Sequence, residues 1–259
     1  MGSDLKALLR LQGFSPLKAE RWSNFVQHVL AVFRSAAEEL RRPENWEKFK
    51  RKQGALGAPR ERKRQKAIVR APIEDAITSE LILYVRDAYR MIPPRHFLRE
   101  NNVHFVAEHP VPSDIRAGRY SLKADFFVSM AASQNEPELT IEAKPLRSKA
   151  DIKRLYLADK GIGCFLEEEP YTDQPLGAML SYTISDGGQS LRAEVRTALS
   201  AYQPKALHLA DAMISGEPAP IPLSRHERRK PGLNPISILH LEMIFAPDIQ
   251  VSAGDPAAR

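Results

Sequence analysis

Three β-forming runs follow one another between residues 102 and 146: "NVHFVAEHP", "YSLKADFFVSM" and "ELTIEAKPL". Each is rich in β-branched or aromatic residues and bounded by turn formers. The gaps between them are too short for crossover helices, which need a dozen or more residues, so the three strands must be antiparallel neighbours. Helical periodicity flanks them. "PIEDAITSELILYVRDAYRMI" starts at Pro72 and stops before Pro93 and Pro94, and a segment from Ser148 reads as a helix that loses regularity near Gly161 and Gly163. "GAMLSYTIS" is a further strand, "SLRAEVRTALSAY" a further helix, and "NPISILHLEMIF" a terminal strand. The order helix, three strands, helix, strand predicts an α/β fold with a mixed sheet flanked by helices.

Charges interrupt two of these apolar runs. Asp125 lies between Ala124 and Phe126, and Glu142 and Lys144 lie two apart in the next strand. Residues two apart in a strand share a face, so Glu142 and Lys144 project together. If the strands pair across the 16 residues that separate Asp125 from Glu142, all three converge. Two carboxylates about 4 Å apart repel by roughly 1 kcal/mol in water and by more at lower dielectric. A divalent cation removes that cost, and oxygen-only ligands select Mg²⁺ or Mn²⁺ over zinc. A solvated ion pair on a polar strand face, worth about 0–1 kcal/mol, stays open as the other reading.

These residues, Asp125 followed by Glu142-Ala143-Lys144, each on a strand, resemble the PD-(D/E)XK nuclease superfamily. The resemblance spans about residues 71 to 186 and departs from the pattern at Ala124, where the family commonly has proline. It implies a restriction-endonuclease-like fold and a Mg²⁺-dependent (or Mn²⁺-dependent) endonuclease hydrolysing phosphodiester bonds, DNA ahead of RNA. It implies Asp125 and Glu142 as metal ligands and Lys144 beside the attacking water. A glutamate from the preceding helix completes the set, Glu74 first and Glu80 second. The late segments also look like those of bacterial nuclease-like proteins encoded beside restriction or phage-defence genes, which implies antiviral defence and a protein partner in a defence complex. The alternative is a catalytically inactive nucleic-acid-binding or scaffold subunit with the same fold.

The formal charge is +6, but residues 48–70 hold ten Lys or Arg against one Glu, so this stretch carries +9 and the remainder −3 (6 − 9). Such concentration is the footprint of a polyanion partner, with Arg60, Arg62, Lys63, Arg64 and Lys66 as phosphate-gripping candidates. A second cluster, "SRHERRK", offers Arg225, His226 and Arg228, and Ser224, His226 and Arg228 share a face if extended. His240, within "ILHLEM", reads as a hydrogen-bonded core residue.

The N-terminal part reads as a helix capped by Ser15, with Trp22, Phe25, Val29, Phe33 and Leu40 on one stripe, then a short helix from Pro43. The expected organisation is a helical extension over 1–55, a basic loop or hinge over 56–70, the nuclease-like domain over 71–250 and a disordered tail over 251–259. An interaction module built on helix 16–42 would leave its stripe exposed. The single cysteine, Cys164, excludes an intramolecular disulfide and favours a reducing, cytoplasmic setting. No apolar run reaches the roughly 18 residues a membrane span needs, and "MGSDLK" lacks a signal-peptide core.

Overall fold

The computed structural model describes residues 2–58, 60–62, 67–111, 122–131, 136–184, 188–245 and 249–250. A two-residue strand, β1 (Ser3–Asp4), leads into α1 (Leu5–Leu11) and the long α2 (Pro16–Arg41). Ser15 caps α2 by accepting a hydrogen bond from the Lys18 N–H at 3.3 Å, and Pro16 occupies the first turn, where its missing N–H costs nothing. Pro43 then starts α3 (Pro43–Lys50). The basic segment follows with β2 (Arg60–Arg62) and β3 (Ala67–Arg70), then α4 (Glu74–Arg90) and α5 (Phe97–Glu100). The three expected strands are β4 (Val103–Pro110), β5 (Lys123–Met130) and β6 (Glu138–Leu146). The remainder comprises α6 (Lys149–Asp151), β7 (Leu176–Ile184), α7 (Arg192–Ser200), β8 (His208–Met213), β9 (Ile221–His226), β10 (Ile236–Phe245) and β11 (Ile249–Gln250).

Eight strands form one mixed sheet in the order β1-β8-β9-β10-β7-β6-β5-β4. β4, β5 and β6 make an antiparallel meander, and β6, β7 and β10 run parallel. The β8–β9 hairpin falls between β7 and β10 in sequence but sits beyond β10 in the sheet, where β9 pairs with β10 antiparallel. Helices flank this sheet, so the chain is a mixed α/β protein.

The stripe of α2 is buried on the sheet. Phe33 sits edge-on to Phe126 at 5.1 Å, and Trp46 of α3 stacks on Phe245 at 5.1 Å. Leu9, Trp22, Phe33, Leu81, Phe126 and Leu180 belong to one continuous apolar core. The boundary expected at residue 55 therefore separates no two cores, and α2 is a layer of the same body. The exposed stripe that an interaction module requires is absent.

The basic segment also departs from a free loop. β2 and β3 pair antiparallel, and β11 pairs with β3 to complete a small second sheet. Its ends are pinned: Gly57 N–H donates to Ala71 O at 2.8 Å, and Arg70 Nε donates to Gly57 O at 2.9 Å. Lys63, Arg64 and Lys66 lie outside the described residues, as does the tail from residue 251.

The helix expected from Ser148 has only one α-helical turn, followed by a π-helical stretch (Ile152–Tyr156) and a 3₁₀ turn (Ile162–Phe165). The chain folds back onto its own carbonyls there. A Cβ on Gly161 would stand 2.3 Å from the carbonyl oxygens of Leu155 and Tyr156, so only glycine fits. This turn buries Ile152, Tyr156 and Phe165 in a second apolar cluster with Leu146, Met179 and Ile238.

Candidate metal centre

The site forms where β5 and β6 part. Their pairing runs from Ser129↔Glu138 to Phe126↔Ile141, and the next step of that register sets Asp125 across from Glu142. There the ladder ends, and a side chain takes its place: Asp125 Oδ2 accepts the Ala143 N–H at 2.7 Å. Asp125 and Glu142 thus lie on one face of the sheet. Glu74 enters from the first turn of α4. One ligand oxygen from each of Glu74, Asp125 and Glu142 lies within 4.8 Å of the others.

Lys144 closes the cluster. Its Nζ donates to Glu74 Oε1 at 2.6 Å, Glu142 Oε1 at 2.7 Å and the Ala143 carbonyl at 2.7 Å, which uses all three ammonium protons. Glu142 is 5% exposed and Lys144 8%, so the solvated strand-face ion pair does not describe them. Glu80 is elsewhere: it is paired with Lys52. Of the two glutamates considered on this helix, only Glu74 reaches the cluster.

One ammonium serves three carboxylates, and the electrostatics show the deficit. Burial pushes the Glu142 carboxyl up to about 8, with Asp125 adding to the rise and Lys144 opposing it. Burial likewise raises Glu74 and Asp125, against the pull of Lys144. Burial alone would lower Lys144, but Glu142 and Glu74 outweigh it and hold the ammonium charged. Glu142 Oε2 is buried and finds no hydrogen-bond donor among the described residues. It can bond to the Asp125 carboxylate only while one of the two carries a proton. A proton or a cation between them would satisfy both oxygens.

The donor set fits a hard divalent cation. It is all oxygen, one oxygen is orphaned, and the cluster opens into a cleft of about 350 Å³ lined also by Asp75, Thr78, Glu108 and Lys123. Thr78 and Tyr182, which the sequence reading did not single out, brace this wall. Their hydroxyls meet at 2.9 Å in the core and tie α4 to β7 one turn below Glu74.

The candidates of the second basic cluster, Arg225, His226 and Arg228, are not presented to a polyanion. Ser224 and His226 share a buried face of β9, and Arg228 lies two residues past its end, with His226 at 1% and Arg228 at 9% exposure. Arg228 donates to the carbonyls of Asn234, Thr172, Gln174 and Asp173 at 2.7–3.3 Å. Arg225 donates to Gln12 O at 3.0 Å. These cations are committed to backbone oxygens that folding would otherwise leave unpaired. His226 belongs to a buried chain: its Nε2 meets Ser224 Oγ at 2.8 Å, Ser224 Oγ meets His240 Nε2 at 2.7 Å, and His240 Nδ1 meets Tyr156 Oη at 3.1 Å. His240 is thus the hydrogen-bonded core residue its context suggested. The backbone of Arg60 and Arg62 lies in β2.

Comparison with protein-family models, curated proteins and solved structures gives no significant match to the chain. What the fold and site define is a class: a mixed α/β protein with an eight-stranded mixed sheet and a partly buried three-carboxylate, one-lysine cluster at a strand divergence. Among the described residues, no helix is long and apolar enough to cross a membrane.

Proposed function

We propose that the chain is a metal-dependent nuclease with a restriction-endonuclease-like core, hydrolysing phosphodiester bonds with Mg²⁺ or Mn²⁺ and acting on DNA. The observation that carries this reading is the meeting of Glu74, Asp125, Glu142 and Lys144, which come from one helix and two strands. The antiparallel meander with β6 parallel to β7, preceded by α4, supports the fold assignment.

Glu74, Asp125 and Glu142 would hold the ion. When bound, it would lower the pKa of a coordinated water and polarise the phosphoryl oxygen. Lys144 stands between two of the ligands, where an ion taking their oxygens would free its ammonium to orient the attacking water and offset charge that develops on the phosphorane. Buried carboxylates with raised pKa values hold protons that the ion displaces, so ion binding and proton release are coupled at this site. The basic segment around Arg60 and Arg62 would engage the phosphate backbone, an interaction that weakens with salt.

The experiment is a nicking assay on plasmid and single-stranded DNA with Mg²⁺, Mn²⁺ and Ca²⁺, comparing wild type with Lys144→Ala. Cleavage is expected with Mg²⁺ or Mn²⁺ but not Ca²⁺, and the variant should lose rate while keeping affinity, because Lys144 acts on the transition state. Equal cleavage by both proteins would refute the assignment of Lys144. Tight binding with no cleavage under any condition would instead favour a non-catalytic nucleic-acid-binding subunit. For the basic segment, neutralising Arg60 and Arg62 should lower the salt slope of binding by about 0.9 for each lost contact to B-form DNA.

A further inference from the structure

We propose that a second groove beside the carboxylate cleft is a base-binding subsite, taking an unpaired nucleobase from single-stranded DNA. This deepens the nuclease reading and, for its choice of ligand, rests on it.

The groove continues the metal centre. Ala124 lines both the carboxylate cleft and this groove of about 530 Å³. Thr140 and Glu138 line it from β6, on the face that carries Glu142. At about 3.3 Å per strand residue, Glu138 lies roughly 13 Å from Glu142, a distance that a few nucleotides of extended strand can span.

Its wall is aromatic. Phe126 faces the core against Phe33, so Phe127 faces the other way, with Asp125. His109 stacks on Phe127 with ring centroids 4.2 Å apart and planes at 12°. Glu108, just before His109, is left-handed (φ 49°), while the register of β4 on β5 continues with His109 opposite Ala124. Tyr171 lines the same groove from the segment before β7.

Its polar groups suit a base edge rather than a phosphate. Glu138 and Asp173 supply two carboxylates against a single lysine, Lys230, which is itself paired with Asp173 at 3.2 Å. Acidic acceptors repel phosphate oxygens but accept the N–H groups of guanine, cytosine or adenine. The wall is also fixed in place. The buried Arg228 guanidinium grips the carbonyls of Thr172, Asp173 and Gln174, holding the loop that follows Tyr171. Only an unpaired base can place its face against such rings, because duplex bases are stacked on one another.

The test is fluorescence anisotropy in Ca²⁺ with a short mixed-sequence single-stranded DNA, its blunt duplex, and a set of single strands each carrying one abasic residue. Wild type should prefer the single strand, and one abasic position should weaken binding by about 5- to 150-fold, the span of base–aromatic stacking. Phe127→Ala should show the same loss on the intact strand and no further loss on that abasic strand. Phe127→Leu keeps the apolar volume without the ring, so it should behave like Phe127→Ala if stacking matters and like wild type if packing does. Wild-type affinity in Phe127→Leu, or equal affinity for every abasic strand, overturns the subsite. Nicking in Mg²⁺ is read separately. Cleavage with no abasic-sensitive position keeps the nuclease and removes the subsite, whereas abasic-sensitive binding without cleavage keeps the subsite and removes the nuclease.

Discussion

Replacing Glu142 by glutamine tests whether the cluster is built for a cation or is merely an internal salt bridge. Glu142 folds with its carboxyl pushed to about 8, against an ordinary 4.5, because burial and Asp125 both oppose its charge. Between those two pH values the folded chain holds a proton that the unfolded chain has released. Stability contributed by this group therefore falls as pH rises, by about 1.4 kcal/mol per unit. From pH 5 to pH 7.5 the loss is roughly 2–4 kcal/mol. Glu142→Gln removes the titration and keeps an oxygen acceptor for Lys144. In EDTA the variant should match wild type near pH 5 and exceed it by roughly 2–4 kcal/mol at pH 7.5. The comparison between the two proteins cancels the titrating groups that lie away from the cluster. Mg²⁺ should then raise wild-type stability, more at pH 7.5 than at pH 5, and should do little for the variant. Urea unfolding at both pH values, with EDTA and with Mg²⁺, measures all of this. A variant less stable than wild type at pH 7.5 in EDTA would show that the Glu142–Lys144 pair is a net stabilising bridge, and the cation argument would fall.

Burial holds His226 down at about 4 and His240 at about 3, so the unfolded chain protonates both below pH 6.5 while the folded chain does not. Stability should accordingly lose about 3 kcal/mol from these two groups between pH 6.5 and pH 5, a loss that the raised Glu74 and Asp125 carboxyls offset in part. Phe33→Ala should cost about 3–5 kcal/mol in urea unfolding if α2 is a layer of one core, and far less if it is a detachable extension. Arg228→Met should destabilise the fold by roughly 2–4 kcal/mol, since its carbonyl partners lose a charged donor. It should leave the salt slope of DNA binding unchanged, and a reduced slope would return Arg228 to the phosphate contacts.

The legible parts of this chain are those where local chemistry and tertiary packing ask for the same thing. Ser15, Pro16 and the aromatic stripe specify α2, and alternation with β-branched residues specifies β4 to β7 and β10. Strand parity placed Asp125, Glu142 and Lys144 on one side. It also placed Ser224, His226 and Arg228 on one side, yet parity does not say which side faces water, and there the basic composition misled. β8 and β9 escaped notice because their alternation is short and Pro222 interrupts the second. The choice between Glu74 and Glu80 turns on helix rotation: six residues carry Glu80 to another face, where Lys52 takes it. The π-helical stretch depends on Gly161 meeting carbonyls that only the folded chain brings near. The boundary drawn at residue 55 followed a shift in charge, and a shift in charge need not coincide with the edge of a core.

The order of strands in the large sheet sets how this chain can reach its native state. β4, β5 and β6 pair with their neighbours in sequence, so the strands bearing Asp125 and Glu142 close short loops and can zip early. The pairing of Ser3 with Ala212, and of β7 with β10 across the β8–β9 hairpin, must wait for far longer loops to close. The short β5–β6 loop thus favours bringing Asp125 and Glu142 together before α2 and the distant strands have finished excluding water from them. During that interval water still screens their repulsion, and the full cost of gathering three carboxyl groups away from water falls only on the last steps of consolidation. A divalent ion present at that stage would speed completion of folding as well as stabilise the finished protein.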